Sequence, residues 1–242
     1  MPQIDKLFST HLNKIADFSF DENVAAVFPD MISRSIPGYP LMIENIGRLA
    51  HQYCQPNSTI YDLGCATGTA TLSMAKHVAV NDCQIVGLDN SPAMVKQCQQ
   101  FVSQYHHPCP VKIKCADITT FMYQPSSVIL MNFTLQFLAP QHREAMLQRI
   151  YEALLPGGVL ILSEKFTHEH ELGNELLINL HHQFKSDNGY SDLEISQKRT
   201  ALENVMLTDS MATHTSRLEA VGFANIIPWF SCFNFMSLVA VK

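Results

Sequence analysis

The sequence of 242 residues lacks several features that are typical of other protein classes. It has no Cys-x-x-Cys pair among its seven cysteines, no Gly/Ser-rich run and no internal repeat. No apolar run approaches the roughly 20 residues that a membrane-spanning helix needs, and residues 1–6 do not resemble a signal peptide. These absences predict a single domain with reduced thiols, located in the cytoplasm and away from membranes.

Cationic residues are also scarce, and this limits the ligands. The chain has 16 Lys and Arg against 22 Asp and Glu, which gives a net charge of −6. A general nucleic-acid surface needs clustered cations, so no direct nucleic-acid binding is expected. The adjacent His181 and His182 would point about 100° apart on a helix, and no other histidine spacing is typical of a metal site. The sequence therefore predicts no metal.

Short apolar runs alternate with amphipathic segments through the middle of the chain. The apolar runs begin at residues 59, 84, 111, 127 and 159, and the segments between them have helical spacing. This alternation predicts an α/β fold with a Rossmann-like, mostly parallel sheet and helices on both faces.

The chain divides into four parts of one predicted domain, 1–242. We expect a helical N-terminal cap (1–58), a ligand-binding core (59–165), a helical insertion (166–223) and C-terminal strands (224–242). In the insertion, the leucines at 172, 176, 177 and 180 form an apolar stripe on one predicted helix. The last two strands are expected to form an edge hairpin that turns between Asn234 and Ser237.

A glycine-containing loop follows the first predicted strand. It reads Asp62-Leu-Gly64-Cys65-Ala66-Thr-Gly68 and leads into a helical segment. Such a strand–loop–helix turn presents backbone N–H groups and a helix N-terminus to a ligand, although an ordinary β–α turn also needs glycines. Cys65 has no base beside it in sequence, so a space-filling thiol is favoured over a nucleophile.

Polar residues end the following strands. Asp89 lies about 20 residues beyond the glycine loop, where nucleotide-binding α/β domains place the acid that binds a ribose, although a helix-capping role is the alternative. Asp117 ends the next strand. Asn132 ends the strand that follows, and its side chain is expected either to contact a ligand or to hold the loop by hydrogen bonds. The carboxyl ends of parallel strands share one edge, so these side chains are expected to meet there.

The loop and strand ends resemble those of class I S-adenosylmethionine-dependent methyltransferases. Their first motif is Asp-x-Gly-x-Gly-x-Gly, from which Ala66 departs at the middle glycine. The dinucleotide pattern Gly-x-Gly-x-x-Gly does not occur, so adenosylmethionine is preferred over NAD. The resemblance implies a seven-stranded sheet.

Longer runs resemble the carboxy-S-adenosyl-L-methionine synthase family, and the resemblance covers nearly the whole chain. They include Ser35-Ile-Pro-Gly-Tyr39, Leu130-Met-Asn-Phe-Thr-Leu-Gln-Phe137, Leu162-Ser-Glu-Lys-Phe166 and Leu193-Glu-Ile-Ser-Gln-Lys-Arg199. The resemblance implies conversion of S-adenosyl-L-methionine and prephenate into carboxy-S-adenosyl-L-methionine, phenylpyruvate and water. It also implies a homodimer, and use of the product by a tRNA carboxymethyltransferase that modifies the wobble uridine.

The same resemblance implies a set of ligand-binding residues. Arg199 is expected to bind the product's carboxylate, reaching into the neighbouring subunit's site. The full set is Tyr39, Gly64, Cys65, Ala66, Asp89, Asn90, Asp117, Ile118, Asn132 and Arg199.

Some roles stay open at the level of sequence. By residue pattern alone, Lys198-Arg199 is typical of a solvated helix face. Tyr39 and Glu164 are the candidates for removing the proton from the methyl group. Two other functions compete with the synthase: an ordinary methyltransferase acting on a small molecule or RNA, and a non-catalytic nucleotide-binding module.

Overall fold

The fold is organised by a central strand that is buried on both faces. In the computed structural model, which describes residues 3–80 and 82–242, all five residues of β1 (Thr59–Leu63) are buried. The other strands are β2 (Gln84–Asp89), β3 (Val111–Cys115), β4 (Ser126–Asn132), β5 (Leu154–Lys165), β6 (Asn225–Cys232) and β7 (Phe235–Val241). The helices are α1 (Glu22–Ser35), α2 (Tyr39–Tyr53), α3 (Thr69–His77), α4 (Pro92–Val102), α5 (Pro140–Ala153), α6 (Glu171–Asp187), α7 (Asp192–Leu202) and α8 (Met211–Ala220), with a 3₁₀ turn at Leu135–Phe137.

The seven strands form one sheet in the order β3-β2-β1-β4-β5-β7-β6. The first five are parallel, and β7 lies antiparallel to both β5 and β6. The predicted Rossmann-like, mostly parallel seven-stranded sheet is therefore confirmed. The strand order reverses between β1 and β4, and ligands bind at such a point in open α/β sheets.

Alternate residues of the strands feed two separate cores, one on each face of the sheet. On one face, Ile60 and Leu130 pack with apolar residues of α2 and α3. On the other, Tyr61 and Met131 pack with residues of α5 and α8. A strand with both faces covered is apolar at most of its positions, which explains the near-continuous apolar runs in the sequence.

The N-terminal cap is helical only from Glu22 onward. Residues 3–21 form no helix, which corrects the expectation that all of 1–58 is helical. This segment is held by hydrogen bonds to α7 instead: Gln197 accepts one from Leu12 N (2.7 Å) and donates to Phe8 O and Thr10 O, both at 2.9 Å. A segment whose backbone is satisfied by a distant side chain does not need helical hydrogen bonds.

The predicted leucine stripe of α6 is exposed in the single chain. Leu172, Leu176 and Leu180 are 80%, 57% and 40% exposed, whereas the apolar stripe of a helix ordinarily faces the core. The face that meets the protein carries His181 and Lys185, which are both buried. The stripe therefore has no partner within the described part of the chain.

The C-terminal hairpin differs from its prediction in position. Its turn falls at Phe233 and Asn234, between β6 and β7, rather than between Asn234 and Ser237. Phe233 adopts a positive φ of 52°, a conformation that favours glycine or asparagine. Of the two hairpin strands, β6 alone lies at an edge of the sheet, because β7 pairs with β5. None of the described helices is long and apolar enough to cross a membrane.

Candidate active site

A cavity of about 490 Å³ opens at the carboxyl ends of β1, β2 and β4. Its size is within the range of small-molecule sites, roughly 300–1,000 Å³. The N-terminal helices and segment line it on one side, and β5, α6 and α7 on the other. Phe18 and Phe20 of the non-helical segment also line it, so the contacts with α7 position part of the wall.

The glycine loop wraps the end of β1 through three residues with positive φ. Gly64, Ala66 and Gly68 have φ of 79°, 46° and 89°. The N–H groups of Gly64 and Cys65 donate to Leu88 O at 2.8 and 3.0 Å, which ties the loop to β2. A Cβ at Gly64 would collide with the side chain of Thr134. The glycine there is required by both conformation and space.

Asp89 holds the loop where the sequence departs from the usual motif. Its Oδ2 accepts the Ala66 N–H at 2.9 Å, and its Oδ1 accepts the Ser91 N–H at 2.9 Å. Non-glycine residues in the left-handed region cost about 1–2 kcal/mol, and this charged hydrogen bond helps to offset that cost at Ala66. Burial raises the pKa of Asp89, although both N–H groups oppose the rise.

Asn132 presents an unused acceptor to the cavity. Its Oδ1 is buried and has no hydrogen-bond partner among the described residues. Leaving a buried polar atom without a partner costs about 1–3 kcal/mol, so this acceptor is available to a ligand that carries a donor. This fits an adenosylmethionine-type ligand, which carries ammonium, amino and hydroxyl donors.

Tyr39 and Asp62 lie together at the base of the cavity. Burial raises the pKa of Asp62 to about 6, and Thr71 Oγ1 donates to its Oδ2 at 2.5 Å. Burial also raises the pKa of Tyr39 above its ordinary value. The phenol is therefore neutral near pH 7 and available as a hydrogen-bonding group.

The opposite side of the cavity is cationic. Lys165, Lys185, Lys198 and Arg199 all line it, on β5, α6 and α7. Burial, with the nearby charge of Arg199, lowers the pKa of Lys165 to about 8. Burial, with the charges of Lys198 and Lys165, lowers the pKa of Lys185 to about 7. We call these four residues the cationic side.

Nine of the ten ligand-binding residues implied by the resemblance line this cavity. Asp117 is the exception: it is exposed, and its Oδ1 accepts hydrogen bonds from Thr119 N (2.8 Å) and Thr119 Oγ1 (2.7 Å). Its neighbour Ile118 does line the cavity. The residues brought together are Tyr39, Gly64, Cys65, Ala66, Asp89, Asn90, Ile118, Asn132 and Arg199.

The contacts of Cys65 and Glu164 favour structural roles for both side chains. A hydrogen bond with Cys98, together with burial, raises the pKa of the Cys65 thiol well above its usual value, so the thiol is not poised as a nucleophile. Glu164 does not line the cavity. Its two carboxylate oxygens accept the N–H groups of Leu135 (2.9 Å) and Gln136 (3.0 Å), which fixes the 3₁₀ turn. Burial raises its pKa to about 8, but the carboxylate faces the turn.

Sequence reasoning did not place Lys165, Lys185 or Asn234 at the site, and it considered His181 only as a metal ligand and Lys198 only as part of a solvated helix face. Lys165 ends a buried strand at the same sheet edge as Asp89 and Asn132, so the strand rule could have predicted it at the site. The sequence did not indicate Lys185, because the leucine stripe suggests that the other face of α6 meets the core. Within residues 3–80 and 82–242, no group of three or more His, Cys, Asp or Glu could hold a metal ion.

Comparison with known proteins first identifies the fold. Residues 60–158 match the family model described as a methyltransferase domain. A putative S-adenosyl-L-methionine-dependent methyltransferase from Methanococcus maripaludis has a TM-score of 0.61 at 17% identity, covering 96% of this chain and 97% of that one. Magnesium protoporphyrin IX methyltransferase from Synechocystis also scores 0.61, at 17% identity, covering 88% and 87%. These structural similarities establish the fold.

Full-length relatives are much more similar in sequence. The carboxy-S-adenosyl-L-methionine synthase of Vibrio campbellii is 55% identical over 98% of this chain and 97% of its own. The synthase of Aliivibrio fischeri strain MJ11 is 55% identical over the whole of both chains. That of Yersinia enterocolitica is 52% identical, over 100% of this chain and 91% of its own.

Replacing Glu164 tests whether it has a structural or a chemical role. In Glu164→Gln the amide nitrogen cannot accept a hydrogen bond, so one backbone N–H of the 3₁₀ turn loses its acceptor. We expect the free energy of unfolding to fall by about 1–3 kcal/mol, measured by urea denaturation, while turnover persists. Glu152→Gln, at an exposed position on α5, is the matched control and should change neither. Loss of turnover at unchanged stability would contradict the structural role.

Proposed function

The chain belongs to the carboxy-S-adenosyl-L-methionine synthase family, and we propose that it converts S-adenosyl-L-methionine and prephenate into carboxy-S-adenosyl-L-methionine, phenylpyruvate and water. The observation that carries the proposal is the presence of Arg199 in the same cavity as the glycine loop and Asp89. A cation beside a sulfonium offers nothing to simple methyl transfer, whereas it attracts a carboxylated product.

The binding of adenosylmethionine is supported by the carboxyl edge of the sheet. Asp89 keeps lone pairs free for the ribose hydroxyls after accepting two N–H groups from the loop. Asn132 offers its free Oδ1 as an acceptor. Asp62 and Asp89 give this side of the cavity a negative charge that suits a sulfonium.

Arg199 distinguishes the product from the substrate by charge. Two unit charges 4 Å apart interact by roughly 4 kcal/mol at an effective dielectric of 20. About 1.4 kcal/mol is enough for a tenfold difference in affinity. The planar guanidinium also matches a carboxylate in two parallel hydrogen bonds, which lysine cannot do.

The reaction balances without any external redox partner. Prephenate loses its ring carboxyl group as CO₂ and its ring hydroxyl, and becomes aromatic. The sulfonium methyl loses a proton, and its carbon forms the new bond to CO₂. That proton and the hydroxyl leave as water. Tyr39 serves here as a hydrogen-bonding group, because its raised pKa keeps the phenol protonated.

The active form is proposed to be a homodimer. The exposed leucine stripe of α6 (Leu172, Leu176, Leu180) supports this, because these side chains lie at i, i+4 and i+8 on one face and would be covered by a second chain. The resemblance implies that Arg199 reaches into the neighbouring subunit's site, whereas the single chain has it at the wall of its own cavity.

The product is proposed to leave the enzyme for a separate tRNA carboxymethyltransferase in the cytoplasm. The acidic chain, with a net charge of −6, supports a division of labour in which this protein does not itself bind the tRNA. An ordinary methyltransferase is disfavoured, because the full-length relatives at 52–55% identity are carboxy-S-adenosyl-L-methionine synthases.

Incubation with both substrates tests the proposed reaction. The purified protein with S-adenosyl-L-methionine and prephenate should give an adenosyl product heavier by one carboxyl group, and phenylpyruvate in equal amount, by mass spectrometry. Omitting prephenate should abolish both. Adenosylhomocysteine formed with an added acceptor and without prephenate would instead identify a methyltransferase. Ligand binding without any turnover would identify a non-catalytic module.

Replacing Arg199 tests its role in carboxylate binding. Arg199→Ala should weaken binding of carboxy-S-adenosyl-L-methionine at least tenfold, measured by calorimetry, and leave adenosylmethionine affinity nearly unchanged. Asp89→Ala should weaken both, because the ribose is common to the two ligands. Arg48→Ala, on the exposed face of α2, is the control. Equal losses of both ligands in Arg199→Ala would argue for a structural role.

Mixing Arg199→Ala with Asp89→Ala tests whether Arg199 serves the site of its own subunit or that of its neighbour. Each variant lacks one residue of the site and is expected to be inactive alone. If Arg199 serves the neighbouring subunit, a mixed dimer of Arg199→Ala and Asp89→Ala contains one complete site, and activity should return on mixing. If activity does not return although mixed dimers form, each Arg199 serves its own chain.

The dimer itself is tested on α6. Leu176→Lys places a charge in the leucine stripe and should shift the protein from dimer to monomer in sedimentation equilibrium. Gln148→Lys, at an exposed position on α5, adds the same single positive charge away from the stripe and should leave the dimer intact. An unchanged dimer in Leu176→Lys would exclude the stripe as the interface.

A further inference from the structure

We propose that Lys165 and Lys185 bind the two carboxylates of prephenate, which places this substrate against β5 and α6. The inference rests on the proposed function, since it assigns that reaction's second substrate to a part of the cavity. Lys165 ends β5, and Lys185 lies one turn beyond the buried His181 on α6. Prephenate is a dianion with one carboxylate on its ring and one on its pyruvyl side chain, so it needs two separate cations.

These two lysines have no anionic partner in the described part of the chain. Neither ammonium has a carboxylate within 4 Å, although Lys185 is only 7% exposed. Lys198 shows the difference: its Nζ lies 3.8 Å from Asp5 Oδ2 and 3.2 Å from Ser35 Oγ. A buried charge without a counter-ion is costly, so the counter-ion that Lys165 and Lys185 lack is supplied by a ligand.

The charged groups around these lysines are positive except for Asp5, which pairs with Lys198 and also favours the charged form of Lys185. Arg199 is close enough to lower the pKa of Lys165, and Lys198 and Lys165 lower that of Lys185. His181 is neutral, because burial lowers its pKa to about 3 and its Nε2 bonds Ser35 O at 2.9 Å. A dianion arriving here would relieve the mutual repulsion of the cations, which favours a doubly charged ligand over a singly charged one.

Asn234 provides an independent sign of a polar ligand on this side. Its side chain is 2% exposed, lines the cavity, and has an Oδ1 with no hydrogen-bond partner among the described residues. A buried acceptor without a partner is stabilised by a ligand that donates a hydrogen bond to it. Prephenate has one such donor, its ring hydroxyl, and Asn234 Oδ1 can accept it. Asn234 therefore completes the site.

The orientation follows from the position of the two lysines. Lys165 lies at the carboxyl edge of the sheet, two residues after Ser163, which pairs with Asn132 at the end of β4. This is the edge that binds adenosylmethionine, so Lys165 faces the carboxylate that migrates. Lys185 lies on α6 rather than on the sheet, and it faces the pyruvyl carboxylate, which remains in phenylpyruvate.

The experiment measures ligand binding in the absence of turnover. Prephenate and phenylpyruvate are each titrated by calorimetry into the protein saturated with S-adenosylhomocysteine, which lacks the methyl group that the reaction needs. Lys165→Met should weaken prephenate at least tenfold and leave phenylpyruvate unchanged, whereas Lys185→Met should weaken both. Adenosylmethionine affinity should be unchanged in both variants. Lys76→Met, with an exposed side chain on α3, is the matched control.

Thermal melting separates a binding role from a structural one. Removing a buried cation that has no partner should leave the melting temperature of the free protein unchanged or higher in Lys165→Met and Lys185→Met. Lys198→Met should lower it, because Asp5 loses its counter-ion. Lower melting temperatures in the first two variants, confirmed with Lys165→Gln and Lys185→Gln, would mark a structural role and overturn the inference.

The outcomes distinguish this inference from the proposed function. Unchanged prephenate affinity in both lysine variants would overturn the inference, even if the wild-type protein forms carboxy-S-adenosyl-L-methionine. Prephenate binding that depends on the two lysines, without any carboxylated product in the wild-type protein, would overturn the proposed function and leave the inference standing.

Discussion

Parallel pairing of the first five strands is the constraint on which the site depends. Parallel strands end at the same edge of a sheet, so residues that are distant in sequence are brought together there. Gly64, Asp89, Asn132 and Lys165 each follow or end a different strand, and all four line one cavity. The hydrogen bond from Ala66 N to Asp89 then fixes the loop against β2. The chemistry of the site is set by what each strand carries at its end.

The cavity combines two regions of opposite charge. Asp62 and Asp89 line it from β1 and β2, and the four residues of the cationic side line it from β5, α6 and α7. Each region is unfavourable alone, as the raised pKa of Asp62 and the lowered pKa values of Lys165 and Lys185 show. Such perturbed pKa values in the free protein are typical of sites that bind charged ligands. A sulfonium and a dicarboxylate would satisfy the two sides together.

Sequence reasoning was most successful where local chemistry and the strand rule agreed. The glycine loop, Asp89 and Asn132 could be located because each ends a recognisable apolar run. Arg199 could not: by pattern it is one of two cations on a helix face, and its role came from resemblance to a family. Lys185 was missed for a related reason, since a leucine stripe ordinarily faces the core.

The leucine stripe shows why the single sequence misleads at α6. An amphipathic pattern indicates which face is apolar, but not whether the apolar face is covered by the same chain or by another. Helix α6 carries His181 and Lys185 toward the cavity and the leucines outward. Glu164 is a comparable case in the core, because a carboxylate at a strand end can cap a turn as readily as it can meet a ligand. The distinction lies in tertiary contacts.

The N-terminal segment has a consequence for how the protein matures. Tyr190 Oη donates to Asp5 Oδ2 at 2.6 Å, and Gln197 binds the backbone at Phe8, Thr10 and Leu12, so these contacts join residues 185–189 positions apart. During synthesis, these contacts can form only after residues 190–197 have been made, although the N–H of Asp5 can already donate to Asp30 Oδ2 of α1 at 2.8 Å. A chain truncated before α7 would therefore lack the hydrogen bonds that hold residues 8–12, and with them part of the support for the wall formed by Phe18 and Phe20.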